Sequence, residues 1–96
     1  MTDPEPQFPS AFRYRVHAAA DPGVIPRLVE PFAKLALVPE RLDCRRIGAL
    51  LAIDLEVGGI DAARAAQIAR TLAVIVGVER VALDLHVAAD GLRASA

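Results

Sequence analysis

The residues of this chain that could carry chemistry are few. They are Cys44, the two histidines His17 and His86, the carboxylates Asp54 and Glu56, an arginine group at Arg13, Arg15, Arg41, Arg45 and Arg46, and the turn Asp21–Pro22–Gly23. Asp54 and Glu56 stand two apart in an alternating stretch and share a face, as an acid–base pair would. No nucleophile or metal cluster is in step with them, so the pattern reads as a charge-paired surface. Antiparallel pairing of the first and last strands would set His17 opposite Arg80 to Ala82 and His86 opposite Arg13, which leaves no metal pair. Cys44 falls on the inward parity of its strand and reads as a small buried hydrophobe. Acids interleave with the arginines, which describes a charged sheet face rather than an anion patch. The expectation is therefore a chain with no catalytic set, no metal and no cofactor. The turn is different: in AADPGVIPRL, residues 19–28, exposed backbone amides open a helix where a small anion or a partner could meet them.

Those residues must be positioned by the surrounding elements. Residues 12–18 alternate, with Phe12, Tyr14, Val16 and Ala18 on one face and Arg13, Arg15 and His17 on the other, as a half-buried strand requires. After the turn, Val24, Ile25, Leu28, Val29, Phe32 and Leu35 draw one stripe down a helix. Pro26 suits its first turn, whereas Pro31 should kink or shorten it. Residues 40–46 form a weaker strand with Leu42 and Cys44 inward, and Gly48 marks a hairpin into ALLAIDLEV. There Leu51, Ile53, Leu55 and Val57 face inward. Asp61 is the expected N-cap of a second helix whose buried stripe is Ala65, Ile68, Ala69, Leu72, Ile75 and Val76, stopped at Gly77. The last strand, about 79–87, sends Val81, Leu83, Leu85 and Val87 inward and Arg80, Asp84 and His86 outward.

The order β-α-β-β-α-β defines an α+β, ferredoxin-like βαββαβ sandwich. It is a four-stranded antiparallel sheet, order 4-1-3-2, with two helices on one face. Arg13, Arg15 and His17 on the central strand then lie between Asp54 and Glu56 on one side and Asp84 on the other. The domain is expected over residues 11–88, with a disordered lead-in at 1–10 and a flexible tail at 89–96.

Composition narrows the function. Hydrophobic residues make up 54%, enough for a packed core in one small domain. A net charge of −1 and only 4% aromatics offer neither an electrostatic footprint nor stacking platforms for nucleic acid. The aromatics Phe12 and Tyr14 also point inward, which removes the RNA-binding use of this topology. The acidic, proline-rich start MTDPEPQFPS is not a secretory signal, and no run of about 18 apolar residues spans a membrane. A single cysteine fits a reducing cytoplasm.

DPGVIPRLVEPFAKLALVPERL resembles the segment that ACT domains carry after their first strand: a Pro-Gly turn, an apolar helix ending in Phe-Ala-Lys, and a short link into the second strand. RTLAVIVGVERVAL is similar to their second helix, Gly-Val turn and last strand. The resemblance spans residues 12–87, and the free-standing length is nearest to the small regulatory subunits of acetolactate synthase. It implies a regulatory module of amino-acid metabolism that leaves the chemistry to a large biosynthetic enzyme subunit. It also implies a homodimer paired through the edges of the second strands. An amino-acid effector would be held by Asp21, Pro22, Gly23, Val24 and Ile25 and, at the start of the second strand, by Val38. The chain departs from the family pattern at Ala20, at Val38 and at Ala36, where a polar residue, an asparagine and a glycine are usual. Those departures suit the alternative of an effector-free structural or adaptor dimer.

Overall fold

The computed structural model describes residues 10–87. The alternating first segment becomes the inner strand β1 (Ser10–Ala19), followed by α1 (Val24–Lys34), β2 (Arg41–Ile47), β3 (Leu50–Val57), α2 (Ala62–Ala73) and β4 (Val78–Val87). The sheet order is β2-β3-β1-β4 with every neighbouring pair antiparallel, the topology expected from the sequence. The expectations for residues 1–9 and 88–96, and for the side chains of His86 and Val87, lie outside the described residues.

Tyr14, Val16 and Ala18 of β1 pack with Ile53, Leu55 and Val57 of β3 under Val24, Leu28 and Phe32 of α1 and Ile68 and Leu72 of α2. Tyr14 links β1 to both helices. Its ring meets Phe32 edge-on at a centroid distance of 5.6 Å, and its hydroxyl donates to the Ala65 carbonyl of α2 at 2.8 Å. Burial pushes its phenol pKa up to about 12, because a phenolate there would lose its hydration.

The helix ends follow local chemistry. Asp61 accepts from the Arg64 amide at 2.8 Å and caps α2 as expected. At the end of α1, Ala36 donates to the Ala33 carbonyl at 3.0 Å and Leu37 to that of Phe32 at 2.8 Å, the paired bonds of a Schellman motif. Ala36 sits at φ 58, the left-handed conformation that glycine adopts without a steric cost. Thus the alanine standing in the usual glycine position keeps the glycine's backbone. Pro31 neither ends nor shortens α1 at that point. The helix runs on to Lys34 because this terminal motif holds the last carbonyls.

On the open sheet face the charges interleave as the strand order requires. Arg13 pairs with Asp54 at 3.1 Å and Arg15 with Asp84 at 3.8 Å. His17 lies opposite Arg80 as expected, but His86 lies opposite Ala11, and Arg13 opposite Asp84. The ladder keeps one register from Ser10 to His17, so pairing His17 with Arg80 sets His86 two residues from the expected Arg13.

Four expected burials are corrected. All seven residues of β2 are exposed, including Leu42 and Cys44, because this outermost strand has β3 as its one sustained neighbour. Leu85 is 58% exposed although its neighbours Val81 and Leu83 pack against the core. Val76 is 77% exposed, because α2 stops at Ala73 and Gly77, at φ 97, belongs to the turn that follows rather than to the helix end.

Three outcomes follow. Tyr14→Phe should destabilise by about 1 kcal/mol, read as a lower urea midpoint at unchanged slope. The folded-state value of about 12 lies above the ordinary 10.0. Stability tied to the neutral phenol is therefore intact below pH 10 and lost as pH rises toward 12, by about 2–3 kcal/mol at most. Tyr14 is the single tyrosine, so phenolate absorbance reports its titration directly. Ala36→Gly should raise stability by roughly 0.5–1 kcal/mol, since relief of left-handed strain exceeds the added chain entropy. Calorimetric melting would reveal it.

Candidate functional site at the start of the first helix

The Asp21–Pro22–Gly23 turn is anchored from three directions. Asp21 donates its amide to the Ala19 carbonyl at 2.8 Å, and Val24 donates to the Asp21 carbonyl at 3.0 Å. Ala20 donates to Ala49 of the β2–β3 hairpin at 3.0 Å, and Ala19 to Gly77 of the α2–β4 turn at 2.8 Å. Three connections therefore converge at one end of the sheet. Gly23 is the N-cap of α1 at φ −81 and ψ −10, with no side chain to bond the first-turn amides. Val24 has spent its amide on Asp21 and Pro26 has none, so the Ile25 amide is the free first-turn donor that, with the positive end of the helix dipole, attracts an anion.

The structure brings Asp21, Pro22, Gly23, Val24 and Ile25 together, with differing access. Asp21 and Pro22 are exposed and Ile25 is half-buried, while the Val24 side chain is wholly buried and offers only its backbone. Val38 is not brought to them. It lies 84% exposed beyond the far end of α1, a helix of about 16 Å at 1.5 Å per residue. Within one chain the turn and Val38 do not form a single site.

Two arginines complete the turn instead. A cavity of about 250 Å³ is lined by Ala20, Asp21, Pro22, Ile25, Leu51 and Arg46. Arg46 lies opposite the inward-facing Leu51 and so projects to the helix side of β2, away from the open-face group with which the sequence placed it. Its Nε donates to the Gly48 carbonyl at 3.0 Å. Arg27 folds back over the turn, 3.4 Å from the Asp21 carboxylate and 3.5 Å from the Val76 carbonyl. A Cβ on Gly23 would stand 2.9 Å from Arg27 Nη2, so the space left by this glycine is filled by a guanidinium. Both arginines carry a sequence signal. Arg46 has the parity of Leu42 and Cys44, and Arg27 is four residues past Gly23, on its face of the helix.

Arg27 faces the Asp21 carboxylate, which leaves Arg46 as the cation of the cavity without a carboxylate partner among the described residues. Among the described residues no group of histidine, cysteine and carboxylate side chains is placed to hold a metal, and no helix is long and apolar enough to cross a membrane.

A family model described as an ACT-like domain matches residues 7–90, and the chain belongs to that family. ACT domains are generally regulatory, non-catalytic, small-molecule-binding modules. No curated protein matches the chain. Among solved structures, it is similar to the ACT domain from GTP pyrophosphokinase of Chlorobium tepidum at 12% identity and TM-score 0.67, covering 78% of this chain and 96% of that one. It is also similar to the C-terminal domain of the MgtC protein from Mycobacterium tuberculosis, at 14% identity and TM-score 0.68, covering 85% and 93%. An ACT domain protein from Streptococcus pneumoniae aligns at 10% identity and TM-score 0.59, covering 84% and 92%. At such identities the likeness is one of fold.

The two glycines that border the site should respond differently to a methyl group. Gly23 has a backbone any residue can adopt, and its added Cβ meets only the mobile end of Arg27. Gly23→Ala should stay within about 0.5 kcal/mol of the parent. Gly77 combines φ 97 with a Cβ position 2.9 Å from Val24 Cγ2 in the core, so Gly77→Ala should cost roughly 2–3 kcal/mol. Parallel urea titrations of the two variants check the contrast.

Proposed function

We propose that this chain is a regulatory ACT module that works as a homodimer and binds a small carboxylate effector, an amino acid, at the β1–α1 turn. The observation that carries the reading is the turn itself: an uncapped helix start flanked by Arg27 and Arg46, beside a β2 strand with no cover. An uncovered strand edge is a template for pairing with another strand. Pairing two β2 edges would also bring the exposed Leu42 of each copy under shared cover and carry Val38 of one copy toward the turn of the other. The finer version, suggested by the resemblance in residues 72–83, is a small regulatory subunit of acetolactate synthase in branched-chain amino-acid synthesis. The large subunit would then perform the reaction. Co-purification of a large synthase subunit with the tagged chain tests that version, and its consistent absence counts against it.

A second reading has its own support. Arg27 occupies the space above Gly23, and Ala20 and Val38 are apolar where a ligand's polar groups would need partners. In that reading the same dimer serves as an adaptor with no effector.

Calorimetric titration with branched-chain and aromatic amino acids separates the two readings. Binding that Arg46→Gln weakens supports the effector site, whereas no heat from an intact dimer supports the adaptor. The pairing has a chemical test of its own. Cys44 is the central residue of β2 and is exposed, so symmetric antiparallel pairing about it would bring the two thiols together at about 5 Å between Cβ atoms. Mild oxidation should yield a covalent dimer that Cys44→Ser abolishes. A monomer in sedimentation at working concentration would defeat the dimer proposal.

A further inference from the structure

We propose that the hairpin end of the open sheet face is a separate binding site, for a small monocarboxylate with a short apolar chain. A cavity of about 390 Å³ lies there, walled by His17 of β1, Leu50 and Ala52 of β3 and Arg80 of β4, with Ile47 at its hairpin end. It opens on the face of the sheet opposite the helices, and Leu51 is the one residue it shares with the cavity at the turn.

The strand register builds this site. Arg80 pairs with His17 and Val78 with Ala18, which leaves Glu79 as an extra residue between them. Such a bulge bends the strand and re-aims its side chains, and both Glu79 and Arg80 line the cavity. Arg80 Nη2 lies 3.1 Å from His17 Nδ1. A guanidinium has no acceptor, so it donates to an unprotonated imidazole nitrogen.

Arg80 differs from its neighbours on this face. Arg13 and Arg15 are each held by a carboxylate, at 3.1 and 3.8 Å. Among the described residues the one side-chain partner of Arg80 is the imidazole, which neutralises nothing and leaves most guanidinium donors free. Across Ala52, on the same face, stands Arg45. Arg80 in the wall and Arg45 beside it stand against the one carboxylate of Glu79, a net single positive charge, and the small Ala52 leaves the hollow above it.

The rest of the wall selects the ligand. Ile47 and Leu50 are the pair that closes the β2–β3 hairpin, and they are 60% and 39% exposed. A short aliphatic chain laid on them would remove both from water. Glu79 beside Arg80 repels a second negative charge, which disfavours phosphates and dicarboxylates and leaves a single carboxylate as the matching head group.

The test is a titration of the nitrogen-15-labelled full chain with 4-methylpentanoate, followed by amide chemical shifts. Saturable shifts are expected at residues 17, 50–52 and 78–80 rather than at 21–25. Arg80→Gln should weaken the affinity by about tenfold or more, as loss of a charge-assisted bond implies. Arg70→Gln, on the exposed face of α2, should leave it unchanged. Ala52→Leu, which fills the hollow without touching a charge, should abolish binding while the melting temperature holds. The proposal is overturned if no saturable shift appears up to the solubility of the acid. Unchanged affinity in Arg80→Gln, or equal binding of 4-methylpentylamine, overturns it too. These outcomes are independent of whether the turn binds an effector.

Discussion

Tyr14 sits where the sheet meets both helices, and the architecture depends on its satisfying two demands at once. Its ring must fill the space beneath Phe32, and its hydroxyl must find an acceptor in an otherwise apolar core. The Ala65 carbonyl in the first turn of α2 meets the second demand at 2.8 Å. A buried hydroxyl without a partner would cost about as much as the bond contributes or more, so this contact ties α2 to β1. With α2 held there, Ile68 and Leu72 lie over the sheet, and the chain leaves the helix at Ala73 to start β4.

That arrangement brings three loops to one end of the sheet. The turn before α1 is bonded to the hairpin through Ala20 and Ala49 and to the α2–β4 turn through Ala19 and Gly77. Gly77 matters because it lies against Val24, where a methyl group would press into the core. The proposed effector site is therefore built on rigid connections, although each of its residues belongs to a loop or a strand end. The arginines are its adjustable parts: Arg27 is held only by contacts of 3.4 and 3.5 Å, near the limit for a hydrogen bond.

The same packing leaves β2 bare. Its inward residues Leu42 and Cys44 have the alternation of a buried strand but no helix above them. An isolated domain with such an edge is exposed to unwanted pairing, and a second copy of the same edge is the simplest cover. The open face on the other side is settled by charge instead, since Arg13 and Arg15 of the inner strand each meet an acid from a different neighbour. Pairs this exposed contribute roughly 0.2–1 kcal/mol each, so they specify register more than they add stability.

The two hydrophobic periods determined most of the fold. Period two in residues 12–18 and 50–57 and the helical stripe from Val24 to Phe32 identified each element and its inward face, because side-chain direction is a local property of the backbone. Asp61 as a cap and Gly48 as a turn residue were legible for the same reason, since each acts within a few residues of itself. Direction is not burial, however. Whether an inward side chain is covered depends on where a distant helix lies, so Leu42, Cys44 and Leu85 read as core and are not. The site divides in the same way. Its turn residues were readable from Asp-Pro-Gly. Arg46, grouped with the open face in the sequence reading, and Arg27 were missed, although strand parity and the four-residue step from Gly23 pointed to them. Only the tertiary packing set the Arg27 guanidinium against the Val76 carbonyl and used a bulge in β4 to turn Arg80 toward His17. These contacts join residues far apart in the chain, and no local pattern encodes them.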